Sequence, residues 1–122
     1  MCYIWFVRNK ARQLEIYQDT DGKVPFKKWM ASLKDKSIVA RIYARLTRIE
    51  VGNFGDTKAV GNGVIELRFT FGSGYRIYYG NDGDKIVVLL NGGDKSSQEK
   101  DIQLAHKYWA DYLRRNDHEK EN

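Results

Sequence analysis

The sequence is poor in the residues that build disulfide bonds and metal sites. Its 122 residues include one cysteine, Cys2, and two histidines, His106 and His118. A single cysteine excludes an internal disulfide and most cysteine-based metal sites. The two histidines have no spacing typical of a metal pair. We therefore expect neither a metal ion nor another cofactor.

Long apolar runs are also missing. No stretch approaches the roughly 20 apolar residues that span a bilayer, and the longest runs are residues 1–7 and 86–90. Residues 1–7 lack the basic start and the small-residue cleavage site of a signal peptide. A content of 42% hydrophobic and 13% aromatic residues is nevertheless enough for a buried core. These features predict one small, soluble domain in the cytoplasm, with no membrane association.

Positive charge is concentrated in one segment. The chain carries 21 Lys and Arg against 16 Asp and Glu, a net charge of +5. Residues 24–50 hold an excess of five basic residues, which equals the net charge of the whole chain. Within this segment Arg41, Arg45 and Arg48 share one face of a predicted helix. Such a face indicates an anionic partner, either nucleic acid or an acidic protein segment. A solvated helix face is the alternative interpretation.

The apolar periodicity predicts an α+β fold. A short strand over residues 14–18 is followed by a helix from Pro25 and a second helix that Ser37 can cap. After a polar loop over residues 53–63, the period changes from helical to two. Three strands follow, over residues 65–71, 75–79 and 86–90. A capping-box pattern at Ser96 and Glu99 begins a C-terminal helix.

The first hairpin of this meander brings two arginines together. If Phe71 pairs with Tyr75 across a three-residue turn, Arg68 and Arg76 become diagonal neighbours about 7–8 Å apart, on the face away from the core. Two guanidinium groups at that distance repel each other unless an anion lies between them. A phosphate suits the planar guanidinium. Glu66 on the same face is the alternative, in which case the group is a surface ion network.

The segment over residues 91–97 carries the other candidate site. Gly92 and Gly93 permit close backbone approach, Lys95 adds a positive charge, and the N-terminus of a helix favours anions. The segment is not a phosphate-binding P-loop, because the glycine and lysine spacing of that motif is absent. A plain strand-to-helix turn is the competing interpretation.

Several motifs, taken in order, resemble the phage-derived Gp49-like, HigB-type toxins of the RelE/ParE toxin superfamily. The resemblance covers residues 14 to 115. The motifs are Glu15-Ile16-Tyr17, residues 22–29 (GKVPFKKW), residues 52–56 (GNFGD), Glu66-Leu67-Arg68, residues 74–79 (GYRIYY), residues 92–96 (GGDKS), Asp101-Ile102 and Tyr108-Trp109. We accordingly divide the chain into an N-terminal extension (residues 1–13), a single toxin domain (residues 14–115) and a flexible tail (residues 116–122).

The resemblance implies a compact, mainly antiparallel sheet with two N-terminal helices and one C-terminal helix. It also implies a cognate helix-turn-helix antitoxin of the HigA type. The RelE and HigB branches cut mRNA on the ribosome, whereas the ParE branch binds DNA gyrase without cutting nucleic acid. A ribosome-associated, metal-independent mRNA endoribonuclease is therefore the first expectation. A gyrase-binding toxin and a plain nucleic-acid or protein-binding module are the alternatives.

The resemblance also assigns site residues. The arginine of the family's G-Y-R motif falls on Arg76, a basic residue after the last strand falls on Lys95, and Arg68 falls at a basic position of the preceding strand. Glu66 stands where RelE has a lysine that assists catalysis, and it is the first candidate for a general base, followed by Asp94. Residues expected to contact RNA are Arg41, Arg45, Arg48, Lys58 and Tyr78.

Overall fold

The computed structural model describes the backbone of residues 12–121 and the side chains of residues 12–116. Residues 1–11, with Cys2 and most of the proposed N-terminal extension, lie outside the described part. The five-stranded sheet has the order β1-β5-β4-β3-β2. Its strands are β1 (Gln13–Ile16), β2 (Thr57–Ala59), β3 (Val64–Arg68), β4 (Arg76–Asp82) and β5 (Ile86–Gly93). Three α-helices accompany it: α1 (Pro25–Ser32), α2 (Lys36–Glu50) and α3 (Gln98–Glu121).

The α+β class and the three helices are confirmed. β1 pairs in parallel with β5, and the remaining neighbours are antiparallel. The helical backbone of α3 extends to Glu121, through most of the proposed tail. No helix among residues 12–121 has a stretch both long and apolar enough to span a bilayer.

The sheet is covered on both faces. On one face Leu67, Ile77 and Leu89 pack against apolar residues of α1 and α2, including Phe26 and Leu46. The other face packs against α3, where Val64, Tyr78 and Val88 join Ala105 and Trp109 in a second core. Alternate side chains of β5 are therefore buried on opposite faces, as its continuously apolar sequence predicts.

Both helix caps differ from the prediction. Asp35, not Ser37, caps α2, because its Oδ1 accepts hydrogen bonds from the backbone N–H (2.9 Å) and the hydroxyl (2.8 Å) of Ser37. Asp94 has the same relation to Ser96, with distances of 2.9 and 2.6 Å. A 3₁₀ turn, Lys95–Ser97, then leads into α3. The Ser96 and Glu99 capping box is therefore wrong: an aspartate two residues before the serine satisfies the free N–H groups instead.

The predicted hairpin register is wrong by two residues. β3 ends at Arg68, and Arg68 lies directly opposite Arg76. Beyond that pair the Phe69 N–H donates to the Tyr75 carbonyl at 3.0 Å, so residues 70–74 form a wider loop. Phe71 leaves the strand to pack between the rings of Phe69 and Tyr75. This aromatic packing replaces the three-residue turn.

Two further differences concern the segments around the sheet. The predicted loop over residues 53–63 contains the short edge strand β2. Gly92 and Gly93, expected in a loop, belong to β5. A Cβ on Gly92 would lie 2.3 Å from the Trp29 ring, and one on Gly93 would lie 1.8 Å from an Asp101 carboxylate oxygen. Close packing, rather than approach of a phosphate, explains both glycines.

Candidate functional site

The candidate site lies where β3, β4 and the end of β5 meet the start of α3. Arg68 and Arg76 are cross-strand partners there. The loop before Arg76 brings Lys95 beside it: a Cβ on Gly74 would be 3.3 Å from both Arg76 Nη1 and Lys95 Cβ. The Lys95 backbone N–H also faces the Ser73 carbonyl at 3.4 Å. The structure therefore brings together the three cations that the sequence selected.

Arg76 is held from two sides. Its Nη1 donates to the Gly74 carbonyl at 2.7 Å, and its Nε forms an ion pair with Glu66 Oε2 at 3.5 Å. The side chain is only 15% exposed. Arg76 Nε is nevertheless buried without a hydrogen-bond partner among the described residues. The guanidinium is thus fixed in place, although not all of its five N–H donors make hydrogen bonds.

Glu66 occupies a different position from the one expected of a general base. Its side chain is 0% exposed, because the start of α3 covers this part of the sheet. Oε2 accepts hydrogen bonds from Gln98 Nε2 at 2.8 Å and from the Tyr78 hydroxyl at 3.2 Å. A buried carboxylate with these partners is suited to hold Arg76 rather than to reach a substrate hydroxyl.

Tyr78 does not form part of the exposed surface. It is fully buried in the core beneath α3. Burial, reinforced by the charge of Glu66, raises the pKa of the Tyr78 hydroxyl well above its usual range. The hydroxyl therefore remains a neutral donor to Glu66. Tyr78 is therefore not accessible for the expected contact with RNA, since its side chain is fully buried.

Arg68 lies on the same face of the sheet as Arg76 but pairs with a different carboxylate. Its Nη2 lies 3.1 Å from Asp56 Oδ1, and its side chain is 38% exposed. The Nε of Arg68, like that of Arg76, is buried without a hydrogen-bond partner in the described part of the chain. The two opposed guanidinium groups therefore pair with different carboxylates. Each keeps an N–H donor that no described residue accepts.

Arg45 is held by backbone carbonyls of two neighbouring segments. Its guanidinium donates to the carbonyls of Phe54, Arg68 and Asp56 at distances between 2.6 and 3.2 Å. Burial lowers the pKa of this arginine. Arg45 therefore has a structural role, because it fixes the segment before β2 to the end of β3, and it also lines the cleft between α2 and the end of β3.

Arg41 and Arg48 line a shallow cleft beside this site. The cleft, about 300 Å³, lies between α2 and the end of β3 and continues to Arg68. The Arg41 guanidinium lies 4.9 Å from the centre of the Phe71 ring. Lys58 is exposed on the edge strand β2, opposite Glu66 in the register. These positions form a basic surface around the arginine pair.

Asp94, the second candidate base, already accepts several hydrogen bonds. Besides the two bonds from Ser96, it accepts one from the Ser73 hydroxyl at 3.3 Å. The Ser96 hydroxyl and N–H hold the pKa of this carboxyl below its usual value. Asp94 therefore joins the loop before Arg76 to the start of α3, and its lowered pKa makes it a weaker base.

Comparison with known proteins places the chain in a family. A family model described as phage derived protein Gp49-like matches residues 28–110, which include every residue of the candidate site. The chain belongs to the Gp49-like family. This is a RelE-like toxin family, so the family predicted from the sequence is confirmed, and membership is consistent with a toxin of a toxin–antitoxin system.

A relative of this chain occurs in Haemophilus influenzae. An uncharacterized protein of that organism is 49% identical over 80 residues, which cover 66% of this chain and 81% of the relative. No solved structure matches the chain significantly.

Among the described residues, no group of three or more His, Cys, Asp or Glu is placed to hold a metal ion.

Sequence reasoning missed two residues of this Gp49-like site and the role of a third. Gln98 and Asp56 come from distant segments, and no local pattern indicates that they contact Glu66 and Arg68. Asp94 was selected as a candidate base, but its role as an N-cap could have been recognised, because an aspartate two residues before a serine is typical of an N-cap.

Proposed function

We propose that this protein is the toxin of a toxin–antitoxin system and cuts mRNA on the ribosome, without a metal ion. One observation carries the proposal: Arg68 and Arg76 lie directly opposite each other, neither guanidinium is saturated, and Lys95 lies beside Arg76. The planar fork of a guanidinium matches the oxygens of a phosphodiester, so two opposed arginines beside a lysine suit that ligand.

RNA carries its own nucleophile, so the protein's task is alignment and charge stabilisation. The ribose 2′-oxygen bonds to the neighbouring phosphorus, the bond from phosphorus to the 5′-oxygen breaks, and a 2′,3′-cyclic phosphate and a 5′-hydroxyl result. The 2′-hydroxyl proton passes to solvent, and the leaving oxygen gains a proton. Arg76 and Arg68 stabilise the extra negative charge on the phosphorane oxygens, and Lys95 stabilises the leaving oxygen.

The carboxylates have supporting roles in this proposal. Glu66 holds Arg76 from beneath, so it is a positioning residue rather than the base first expected. Asp94 keeps the Ser73 loop and the start of α3 together. Arg41, Arg48 and Lys58 hold flanking phosphates of mRNA or ribosomal RNA, which makes binding depend on salt. The cognate HigA-type antitoxin neutralises the toxin, and both act in the cytoplasm.

The test is induced expression of the wild type beside Arg76→Ala, with growth measured and a translated mRNA mapped by primer extension. We expect growth arrest and discrete, translation-dependent cuts for the wild type. Loss of one preorganised donor typically lowers such a rate by about 10²–10³-fold, so the variant should not cut detectably. Arg114→Ala is the matched control, since Arg114 is an exposed arginine on α3 that pairs with Asp111 away from the site.

Circular dichroism must show that Arg76→Ala is folded. Cuts that persist in a folded Arg76→Ala would overturn the assignment of Arg76. Arrest without any cuts would favour the gyrase-binding alternative. The absence of arrest from a folded, soluble wild type would favour a plain binding module.

A further inference from the structure

The first residue of α3 contacts the carboxylate that holds Arg76. Gln98 begins the helix, and its Nε2 donates a hydrogen bond to Glu66 Oε2 at 2.8 Å. The two residues are 32 positions apart in the sequence, so this bond joins α3 directly to the sheet beneath the site. The proposed cleavage reaction gives Gln98 no role.

Three donors approach the same oxygen of Glu66. Gln98 Nε2 is the nearest at 2.8 Å, the Tyr78 hydroxyl lies at 3.2 Å, and Arg76 Nε is the farthest at 3.5 Å. Arg76 Nε makes no hydrogen bond within the described part of the chain, and neither does the other Glu66 oxygen, Oε1, although both atoms are buried. The neutral amide therefore occupies the hydrogen-bonding position that Arg76 Nε lacks. Glu66 attracts Arg76 by its charge, but the two do not form a hydrogen-bonded pair.

Contacts of the neighbouring residues hold Gln98 in this place. The Ser97 hydroxyl donates to Asp101 Oδ2 at 2.5 Å, and Asn91 Nδ2 near the end of β5 donates to the Asp101 carbonyl at 3.1 Å. A Cβ on Gly93 would lie 1.8 Å from the Asp101 carboxylate, so α3 begins in close contact with β5. The position of Gln98 thus depends on the packing of α3 against β5, and its amide is fixed before any substrate binds.

We propose that Gln98 is a positioning residue, which keeps Glu66 from forming a hydrogen-bonded pair with Arg76. Arg76 Nη1 already donates to the Gly74 carbonyl. A carboxylate that paired side-on with the same guanidinium would take Nε and Nη2 through two parallel hydrogen bonds, which would leave few donors for a phosphate. Because Gln98 occupies Glu66 Oε2, Arg76 is held by charge while its donors stay available to the substrate, a benefit that rests on the proposed function.

The charges around Glu66 determine how this role can be tested. Arg76 and Tyr78 face it from β4, Lys58 lies opposite it on β2, and the charge of Asp101 in α3 acts on the Tyr78 hydroxyl. In Gln98→Glu a second carboxyl group would adjoin Glu66, and the like charge raises the pKa of the introduced acid. While protonated, that acid can still donate to Oε2; once ionised, it cannot. Gln98→Glu is thus a variant in which a rise in pH removes the donor.

The first test measures single-turnover cleavage of an mRNA on ribosomes at successive pH values, relative to the wild type at each pH. We expect Gln98→Met, which keeps the side-chain length but has no N–H donor, to lower the rate at least tenfold throughout, with KM little changed. Gln98→Glu should approach the wild-type rate at low pH and fall toward that of Gln98→Met as pH rises. Gln103 is an exposed glutamine on the same helix, so Gln103→Met and Gln103→Glu are the matched controls and should cut like the wild type.

The second test reads the geometry of Arg76 without cleavage. In ¹H–¹⁵N NMR spectra of the full chain, the Nε–H signal of Arg76 is identified by its loss in Arg76→Lys. This signal should move downfield in Gln98→Met, because Nε then donates to Glu66. Gln103→Met should leave it where it is in the wild type.

The two measurements separate this proposal from the one on which it rests. An unmoved Nε–H signal in a folded Gln98→Met would overturn the role of Gln98, whether or not the wild type cuts. Cleavage by Gln98→Met at the wild-type rate would overturn it as well, and so would a loss in Gln98→Glu that is the same at every pH. A signal that moves, in a protein whose wild type never cuts, would support the role of Gln98 and reject only the proposed function.

Discussion

Arg68 and Arg76 are directly opposite each other across β3 and β4, yet each pairs with a different carboxylate. Arg68 contacts Asp56 on the surface at 3.1 Å, and Arg76 contacts the buried Glu66 at 3.5 Å. The two pairs differ in accessibility, because Asp56 is about half exposed and Glu66 is fully buried. A substrate phosphate can therefore compete with Asp56 for Arg68, whereas Glu66 stays with Arg76.

Asp56→Asn should strengthen RNA binding. The change removes the carboxylate that holds Arg68 and leaves this guanidinium free for phosphate. We expect Kd for a single-stranded RNA with 2′-deoxy substitutions, which cannot be cut, to fall several-fold in fluorescence anisotropy. Asp84→Asn changes the net charge equally in an exposed turn far from the site, so equal effects of the two variants would contradict the prediction.

Glu66→Gln should impair cleavage through Arg76. The glutamine keeps the size of the side chain but lacks the charge that holds the guanidinium, so we expect the single-turnover cleavage rate to fall at least tenfold while KM changes little. Tyr78→Phe removes only a donor to Glu66 and should cost about 1 kcal/mol of unfolding free energy. Tyr78→Phe should not change the single-turnover cleavage rate. A folded Glu66→Gln that cuts at the wild-type rate would exclude the positioning role.

Asp94→Ala should destabilise the protein by about 1 kcal/mol, the usual cost of losing an N-cap. The pKa of Asp94 is lowered in the folded state, so its contribution is fully present above the unfolded-state pKa and is lost as pH falls through the folded-state value. The wild type and the variant should thus converge in stability in acid. Urea melts at pH 7 and at successively lower pH measure this, and a constant difference would argue against ionised Asp94 as the cap.

The arginines of α2 should differ in what their replacement changes, either the salt dependence of RNA binding or the stability of the fold. Arg41→Ala and Arg48→Ala should each reduce the slope of log K against log salt by about 0.7, the value for one phosphate contact to a single strand. Arg45→Ala should instead lower the melting temperature, because it leaves the carbonyls of Phe54, Asp56 and Arg68 without their donor. A salt slope that Arg41→Ala and Arg48→Ala leave unchanged would remove them from the RNA-binding surface.

The sequence alone predicts the periodic features of the fold well. Alternation identifies β3 and β4, and it puts Glu66, Arg68 and Arg76 on one face correctly, because a register error of two residues preserves the face. It could not supply the register itself, which depends on Phe71 packing with Phe69 and Tyr75. The sequence also could not show where α3 packs. Polar residues alternate with apolar ones around Glu66, a pattern typical of a solvated face, and only the tertiary structure shows that α3 covers it.

The pairing of β1 with β5 has a consequence for the order of events during synthesis. Gln13 aligns with Ile86, so the first strand of the described chain has no neighbour until the last strand has been made. The hydrogen bond from Gln98 to Glu66 comes later still. A partly made chain therefore carries Arg68 and Arg76 without the elements that fix them, and contacts so distant in sequence form slowly. Under the proposed activity, the site would therefore be assembled only after the chain is nearly complete.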